Sequence, residues 1–99
     1  LYESLVVSTD DAIVTKTLQG IVTSWNPAAE RIFGYRAAEM IGEPMLRVFP
    51  PERWAEEVDI LARIARGERV DHFETVRLRK DGTRVEVSVS ISPLRDEQG

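Results

Sequence analysis

The chain has 99 residues, one histidine, no cysteine and a formal net charge of −4. This length suits one small domain. The lack of cysteine excludes disulfides, thiolate metal sites and cysteine nucleophiles, and one histidine leaves little for a metal site. The negative charge argues against direct binding to nucleic acid, because no excess of cations is present to neutralise phosphates.

No apolar run approaches the length that crosses a bilayer, and no signal peptide is visible. We therefore expect a cytoplasmic chain that makes no membrane contact. Because the chain begins with Leu1 rather than Met, we expect it to be a piece of a longer protein. No Ser-His-Asp arrangement, HExxH motif or phosphate-binding glycine loop stands out, so we expect no catalytic residues and no enzymatic activity of its own.

The first third of the chain predicts two short strands. Residues 1–9 are mildly apolar, and we interpret them as a lead-in segment or the end of an N-terminal helix, with the domain itself spanning residues 10–99. Residues 12–16 and 21–25 are β-branched runs separated by a segment that ends in Gly20. This pattern predicts a hairpin.

Residues 25–35, WNPAAERIFGY, raise the question of a binding loop. Asn26 suits a helix N-cap, Pro27 suits the first turn, and Gly34 suits a left-handed helix end. These residue types favour a structural interpretation, namely the end of a strand, a cap and a short helix, over a catalytic or binding loop.

Two further helices follow. Residues 36–42 predict a short one, and a proline-rich loop with a turn near Met45 comes next. Residues 53–66 carry the longest helical pattern. Its apolar stripe, which we expect to face the core, consists of Trp54, Val58, Leu61 and Ile64 or Ala65.

The last third predicts a hairpin around Asp81-Gly82, treated as a two-residue turn. Arg77 would then lie opposite Glu86 on the wet face. The expected pairs on the core face are Leu78 with Val85, Val76 with Val87, Glu74 with Val89 and His72 with Ile91.

This pairing places His72 and Glu74 on the apolar face, where an unpaired carboxylate would cost several kcal/mol. One interpretation makes them polar groups in an inward cavity. The other places them at a frayed strand start, at the rim, or after a bulge that reverses the alternation.

With its predicted strands and helices in this order along the sequence, the chain resembles the PAS sensory-domain family. The resemblance rests on Gly20-Ile21-Val22 before residues 25–35, on EMIG at residues 39–42, on HFETVRLRKDGTRVEV at residues 72–87 and on SPLRD at residues 92–96. It implies an α+β fold, with helices packed on one face of a five-stranded antiparallel sheet. The implied strand order is second, first, fifth, fourth, third.

The chain departs from the family pattern at its end. The family continues after SPLRD into a central fifth strand, whereas this sequence stops at Gly99. We expect that strand to lie beyond Gly99, or the first and fourth strands to be bridged by a partner chain or a rearranged terminus. A bridged sheet would favour a homodimer.

The resemblance implies a pocket or a packed core between the sheet and the longer helix. Flavin photochemistry through a cysteine adduct is excluded, haem is not expected because the longer helix has no histidine, and a non-covalent flavin would have to stack on Trp54 or Trp25. We predict no cofactor-binding residue, and a small organic ligand or none. The predicted ligand pocket consists of Met45, Trp54, Val58, Leu61, His72, Glu74, Val76, Val87 and Val89.

The function implied is a regulatory module of a larger bacterial signal-transduction protein that relays a conformational change to an output domain, with a histidine kinase favoured. The alternative is a ligand-free interaction or dimerisation module of a transcription regulator or cyclic-dinucleotide enzyme. We expect the dimer surfaces to be residues 1–7 and the outer sheet face with Phe73. A third interpretation, an unrelated α+β fragment, would make the motifs coincidental.

Overall fold

The computed structural model describes residues 2–95 and contains one five-stranded antiparallel sheet, in the order β3-β2-β1-β5-β4. Residues 96–99, where the predicted domain ends, lie outside the described residues. The strands are β1 Tyr2–Thr9, β2 Ala12–Thr17, β3 Val22–Trp25, β4 Val70–Leu78 and β5 Arg84–Arg95. The helices are α1 Pro27–Phe33, α2 Ala37–Met40 and α3 Trp54–Ala65, with short 3₁₀ turns at Met45–Val48 and Pro51–Arg53. The predicted α+β architecture is confirmed.

The first residues form the central strand β1, so the prediction of a helix end was wrong. Leu5 and Val7 are buried while Val6 is half-buried, a period of two that suits a strand. Val7 pairs with Val14 on one side and with Ile91 on the other, antiparallel to both. The gap expected between the neighbouring strands is therefore filled by the N-terminal segment.

The capping role of Asn26 is confirmed. Its Oδ1 accepts hydrogen bonds from the N–H groups of Ala29 and Ile13, each at 3.0 Å, and its Nδ2 donates to Asp11 O at 2.9 Å. The residue therefore starts α1 and also ties the helix to the turn between β1 and β2. Gly34 ends α1 with a φ of 80°.

The turn between β4 and β5 is one residue longer than predicted. Gly82 donates its N–H to Arg79 O, and Arg79 donates its N–H to Thr83 O. The loop is therefore the three residues 80–82, with a positive φ of 88° at Gly82. A two-residue turn would also need a positive φ at Asp81, which does not have one.

The longer turn reverses the faces of β4, so the predicted pairing was wrong. Thr75 pairs with Val87, Arg77 with Val85, and Glu74 with Ser88. A one-residue shift moves every side chain to the opposite face. Thr75 and Arg77 consequently point into the core, whereas Glu74 is exposed.

A bulge marks the start of β4, between Val70 and Phe73. His72 lies in it with a φ of 44°, is exposed, and donates its backbone N–H to Ser90 Oγ. The bulge was one of the alternatives for this residue. Phe73 packs against the core, so its assignment to the outer face was wrong.

The core-facing side of helix α3 agrees with the predicted stripe at Leu61 and Ile64 but not at Trp54 and Val58. Its buried side chains are Glu57, Ile60 and Ile64. Trp54 is 50% exposed and Val58 is 69% exposed, whereas Leu61 is partly buried. The buried side keeps a helical spacing of three and four, but it contains a carboxylate that needs a partner.

Candidate functional site: a charged cluster between helix α3 and the sheet

Lys16 is the partner of that carboxylate. It follows Ala12 and Val14 on the inward face of β2 and is 1% exposed. Its Nζ lies 2.5 Å from Glu57 Oε1. Burial lowers the pKa of the Lys16 ammonium, and the Glu57 carboxylate opposes this shift by favouring the charged form. The ion pair joins α3 directly to the sheet.

Arg77 provides a second buried cation from β4. It is 3% exposed, and its guanidinium lies 3.7 Å from the ring centroid of Phe49. One guanidinium N–H donates to Glu56 Oε1 at 2.8 Å, and Thr75 Oγ1 donates to the same carboxylate. Burial lowers the pKa of the Arg77 guanidinium, while Glu56 favours its charged form. This ion pair also joins α3 to the sheet.

The acceptor capacity of Glu57 is only partly used. Its Oε2 is buried and has no hydrogen-bond partner among the described residues. Gly20 lies beside this oxygen with a φ of 86°, and a Cβ there would approach Oε2 to 3.3 Å. The carboxylate is therefore held by Lys16 through one oxygen, and the other oxygen carries an unmet cost of burial.

A small cavity of about 10 Å³ lies between α3 and the sheet. This is close to the smallest cavity that can hold one water. Twelve residues line it, and Lys16 and Arg77 are the charged ones. The rest are apolar apart from Thr9, and they include Phe33, Met45, Phe49 and Ile60.

The structure separates the residues predicted to form a pocket. Met45 and Val89 line the cavity, and Val87 and Leu61 belong to or pack against the same core. Glu74, Val76 and Val87 line a different, open cleft beside Arg53 and Glu86. Trp54 and Val58 line neither space. His72 instead borders a shallow cleft at one end of the sheet with Ser8, Asp10, Ser88 and Ser90.

The sequence analysis missed the charged residues of the core. Lys16 occupies the third inward position of an alternating run, after Ala12 and Val14, and that spacing could have identified it. Arg77 was missed because its face depends on the turn, and Glu57 because α3 also offers a more apolar side.

Trp25, one of the two residues considered for flavin stacking, makes its contacts within the core. Trp25 is buried, its Nε1 donates to Tyr35 O at 3.0 Å, and its ring packs on Phe33. Across residues 2–95 no three His, Asp or Glu side chains gather as metal ligands would. Within the same described part, no helix is long and apolar enough to span a membrane.

Comparisons with known proteins match this fold. The signal transduction histidine-protein kinase AtoS of Escherichia coli (strain K12) is 29% identical over 99 residues, which are 100% of this chain and 16% of that protein. The crystal structure of a PAS domain from Colwellia psychrerythraea is similar at a TM-score of 0.58 and 20% identity, covering 94% of this chain and 84% of that one. The family model described as PAS fold matches residues 1–99. The chain therefore belongs to the PAS family.

Proposed function

We propose that this chain is the cytoplasmic sensory module of a larger bacterial signal-transduction protein and relays a conformational change to an output domain of the same protein. A histidine kinase is the output we propose, because the relative AtoS carries that name. One structural observation carries the proposal. Two ion pairs join α3 to the sheet: Lys16–Glu57, which is fully buried, and Arg77–Glu56, in which Glu56 is partly exposed.

Buried ion pairs suit a relay because they add little net stability. Desolvation of the two charges offsets much of their attraction, and well-packed apolar residues often stabilise a core equally well. The pairs therefore fix where α3 lies on the sheet more than they strengthen the fold. A signal that binds one position of α3 more tightly than another shifts the population between them.

The proposal assigns no chemistry and no cofactor to the chain. His72 lies on an exposed bulge and Trp25 is hydrogen-bonded within the core, so neither offers a haem or flavin site in this arrangement. We include a homodimer through the outer sheet face, where Ile13 is 50% exposed and Leu94 is 37% exposed. Native mass spectrometry of the purified chain gives its oligomeric state.

The small cavity favours a second function, a ligand-free interaction module. A volume of about 10 Å³ leaves no room for an organic ligand unless α3 moves. In that case the core would only support the fold, and the outer face would carry the signal.

A chimeric kinase tests the relay. The chain replaces the matching segment of AtoS, and autophosphorylation is compared between the wild-type chimera and the variant K16M/E57Q. We expect the rate to change by at least about fivefold, the lower range of measured coupling between sites. The matched control D59N/R63M removes an exposed ion pair of the same helix, whose atoms are 3.1 Å apart, and should leave the rate unchanged.

A rate that is the same in all three chimeras would contradict the relay. If Ile13→Glu on the outer face changes the rate while K16M/E57Q does not, the interaction module is the better description.

A further inference from the structure

One side of helix α3 is apolar and faces solvent. Each residue advances about 100° around a helix, so six positions of α3 share this side, and none of them is charged. We call them the outer α3 stripe: Trp54, Ala55, Val58, Leu61, Ala62 and Ala65. All except Leu61 are exposed. The helix therefore carries a second apolar surface beside the one that packs on the sheet.

Two large side chains dominate the outer α3 stripe. Val58 is 69% exposed and Trp54 is 50% exposed. The Nε1 of Trp54 donates to Phe49 O at 3.2 Å, so the polar edge of the indole is satisfied within the chain while half of the side chain faces water. A ring held in this way loses little conformational freedom on binding, and tryptophan is enriched among the residues that dominate interfaces.

The spacing of the smaller residues suits contact with another helix. Ala55, Val58, Ala62 and Ala65 are three, four and three positions apart, the repeat at which two helices interlock their side chains. Small side chains also let two helix axes approach closely. The stripe therefore favours a helix as its partner.

The exposed charges beside the stripe indicate which helix. Asp59 lies in the first half of α3, Arg63 lies in the second half, and Arg66 follows the helix. Within one chain, Asp59 Oδ2 is 3.1 Å from Arg63 Nε. Two parallel copies of α3 would bring like charges together. Two antiparallel copies would instead place Asp59 of each beside Arg63 and Arg66 of the other.

We propose that the outer α3 stripe binds the same stripe of a second copy of this chain, with the two helices antiparallel about a two-fold axis. Every contact then occurs twice. The interface lies on the opposite side of the sheet from Ile13 and Leu94, so it is distinct from the outer sheet face. One helix from each copy gives a small contact, for which we expect a dissociation constant on the order of 100 μM.

Sedimentation equilibrium of the 99-residue chain, at concentrations that bracket this constant, tests the contact. The measurement uses Ile13→Glu as the parent, so that the outer sheet face does not contribute. The I13E chain should form a dimer. I13E/V58E should associate at least about tenfold more weakly, because it places two carboxylates in an apolar contact. The matched control I13E/A38E adds the same charge at an exposed position of α2 and should associate like I13E.

Charge exchange tests the complementarity of the two copies. In the I13E parent, Asp59→Arg makes the exposed charges beside the stripe all basic, and R63E/R66E makes them all acidic. Each variant alone should associate at least about tenfold more weakly than I13E, because like charges then face each other. An equal mixture of the two should recover the association as a heterodimer.

Engineered cysteines report the orientation, since the chain has no cysteine of its own. When Ala55→Cys and Ala65→Cys chains are mixed and oxidised, antiparallel helices should give mainly the mixed disulfide, whereas parallel helices would give Ala55→Cys chains joined to each other. The proposal is overturned by a monomeric I13E chain, by an I13E/V58E chain that associates like I13E, or by the parallel disulfide pattern.

Discussion

The most consequential single residue is Lys16, a cation at an inward position of an inner strand. Its long aliphatic stem crosses the core, and its ammonium ends on Glu57 Oε1. Phe49 lies near it, with 5.8 Å between the ammonium and the ring centroid. Because Glu57 has no other hydrogen-bond partner in the described residues, the two side chains depend on each other for charge balance.

Lys16→Met should destabilise the protein by about 3–5 kcal/mol, because it leaves a buried carboxylate without its cation. K16M/E57Q should recover most of this loss, since neither charge remains. Urea denaturation measures both, as a change in midpoint at constant slope. If the double variant is as unstable as the single one, the cost comes from packing and the charge argument fails.

At the scale of elements, Asn26 shows how one side chain couples two of them. It caps α1 and also binds the turn between β1 and β2 through Ile13 N and Asp11 O. A cap that makes only its local bond contributes about 1 kcal/mol. The additional hydrogen bonds reach residues more than ten positions away in sequence. They therefore stabilise the tertiary structure as well as the start of α1.

Asn26→Ala should therefore lower the free energy of unfolding by about 2 kcal/mol, the upper end of the range for helix caps. Gln19→Ala, an exposed position in the loop between β2 and β3, is the matched control and should change little. Thermal denaturation followed by circular dichroism compares them. A loss no larger than that of the control would show that the three hydrogen bonds carry no net stability.

Elements with strong local signals could be predicted from the sequence. The cap at Asn26, the stop at Gly34 and the two β4–β5 strands all follow from residue types at fixed offsets. The faces of β4 and α3 could not be predicted, because each depends on a feature outside the element itself. For β4 it is a loop longer by one residue, and for α3 it is a lysine on another strand that neutralises Glu57.

The candidate site was missed for the same reason. Hydrophobic patterning assigns charged residues to the surface and so directs attention to Trp54 and Val58. The structure buries Lys16 and Arg77 instead, because each finds a carboxylate on α3. A buried charge is compatible with the core only in pairs, and pairing between distant residues is invisible to a local pattern.

At the scale of the whole molecule, the arrangement depends on β1 as the middle strand of five. Val6 pairs with Thr15 on β2 and with Ser92 on β5. A strand with two neighbours has partners for its backbone on both sides, so within the sheet the two outer pairs of strands are joined through β1.

Val6→Pro should break this connection. Proline removes a backbone donor in the centre of the sheet and leaves its acceptor unpaired. This should lower the free energy of unfolding by at least about 1–3 kcal/mol. Val6→Ala keeps the backbone donor and loses part of a half-buried side chain, so it should cost less. Hydrogen exchange should show lost protection in both β2 and β5 for the proline variant. Protection that falls only in β1 would contradict its role as the link.

The position of β1 also sets the order in which the protein can fold. Its partner β5 is distant in sequence, and Val7 can pair with Ile91 only after the three strands between them have been made. Two hairpins, β2 with β3 and β4 with β5, can form from nearby residues, but joining them requires closure of a long loop. During synthesis β1 is therefore made before the other four strands and has one edge unpaired until β5 is made.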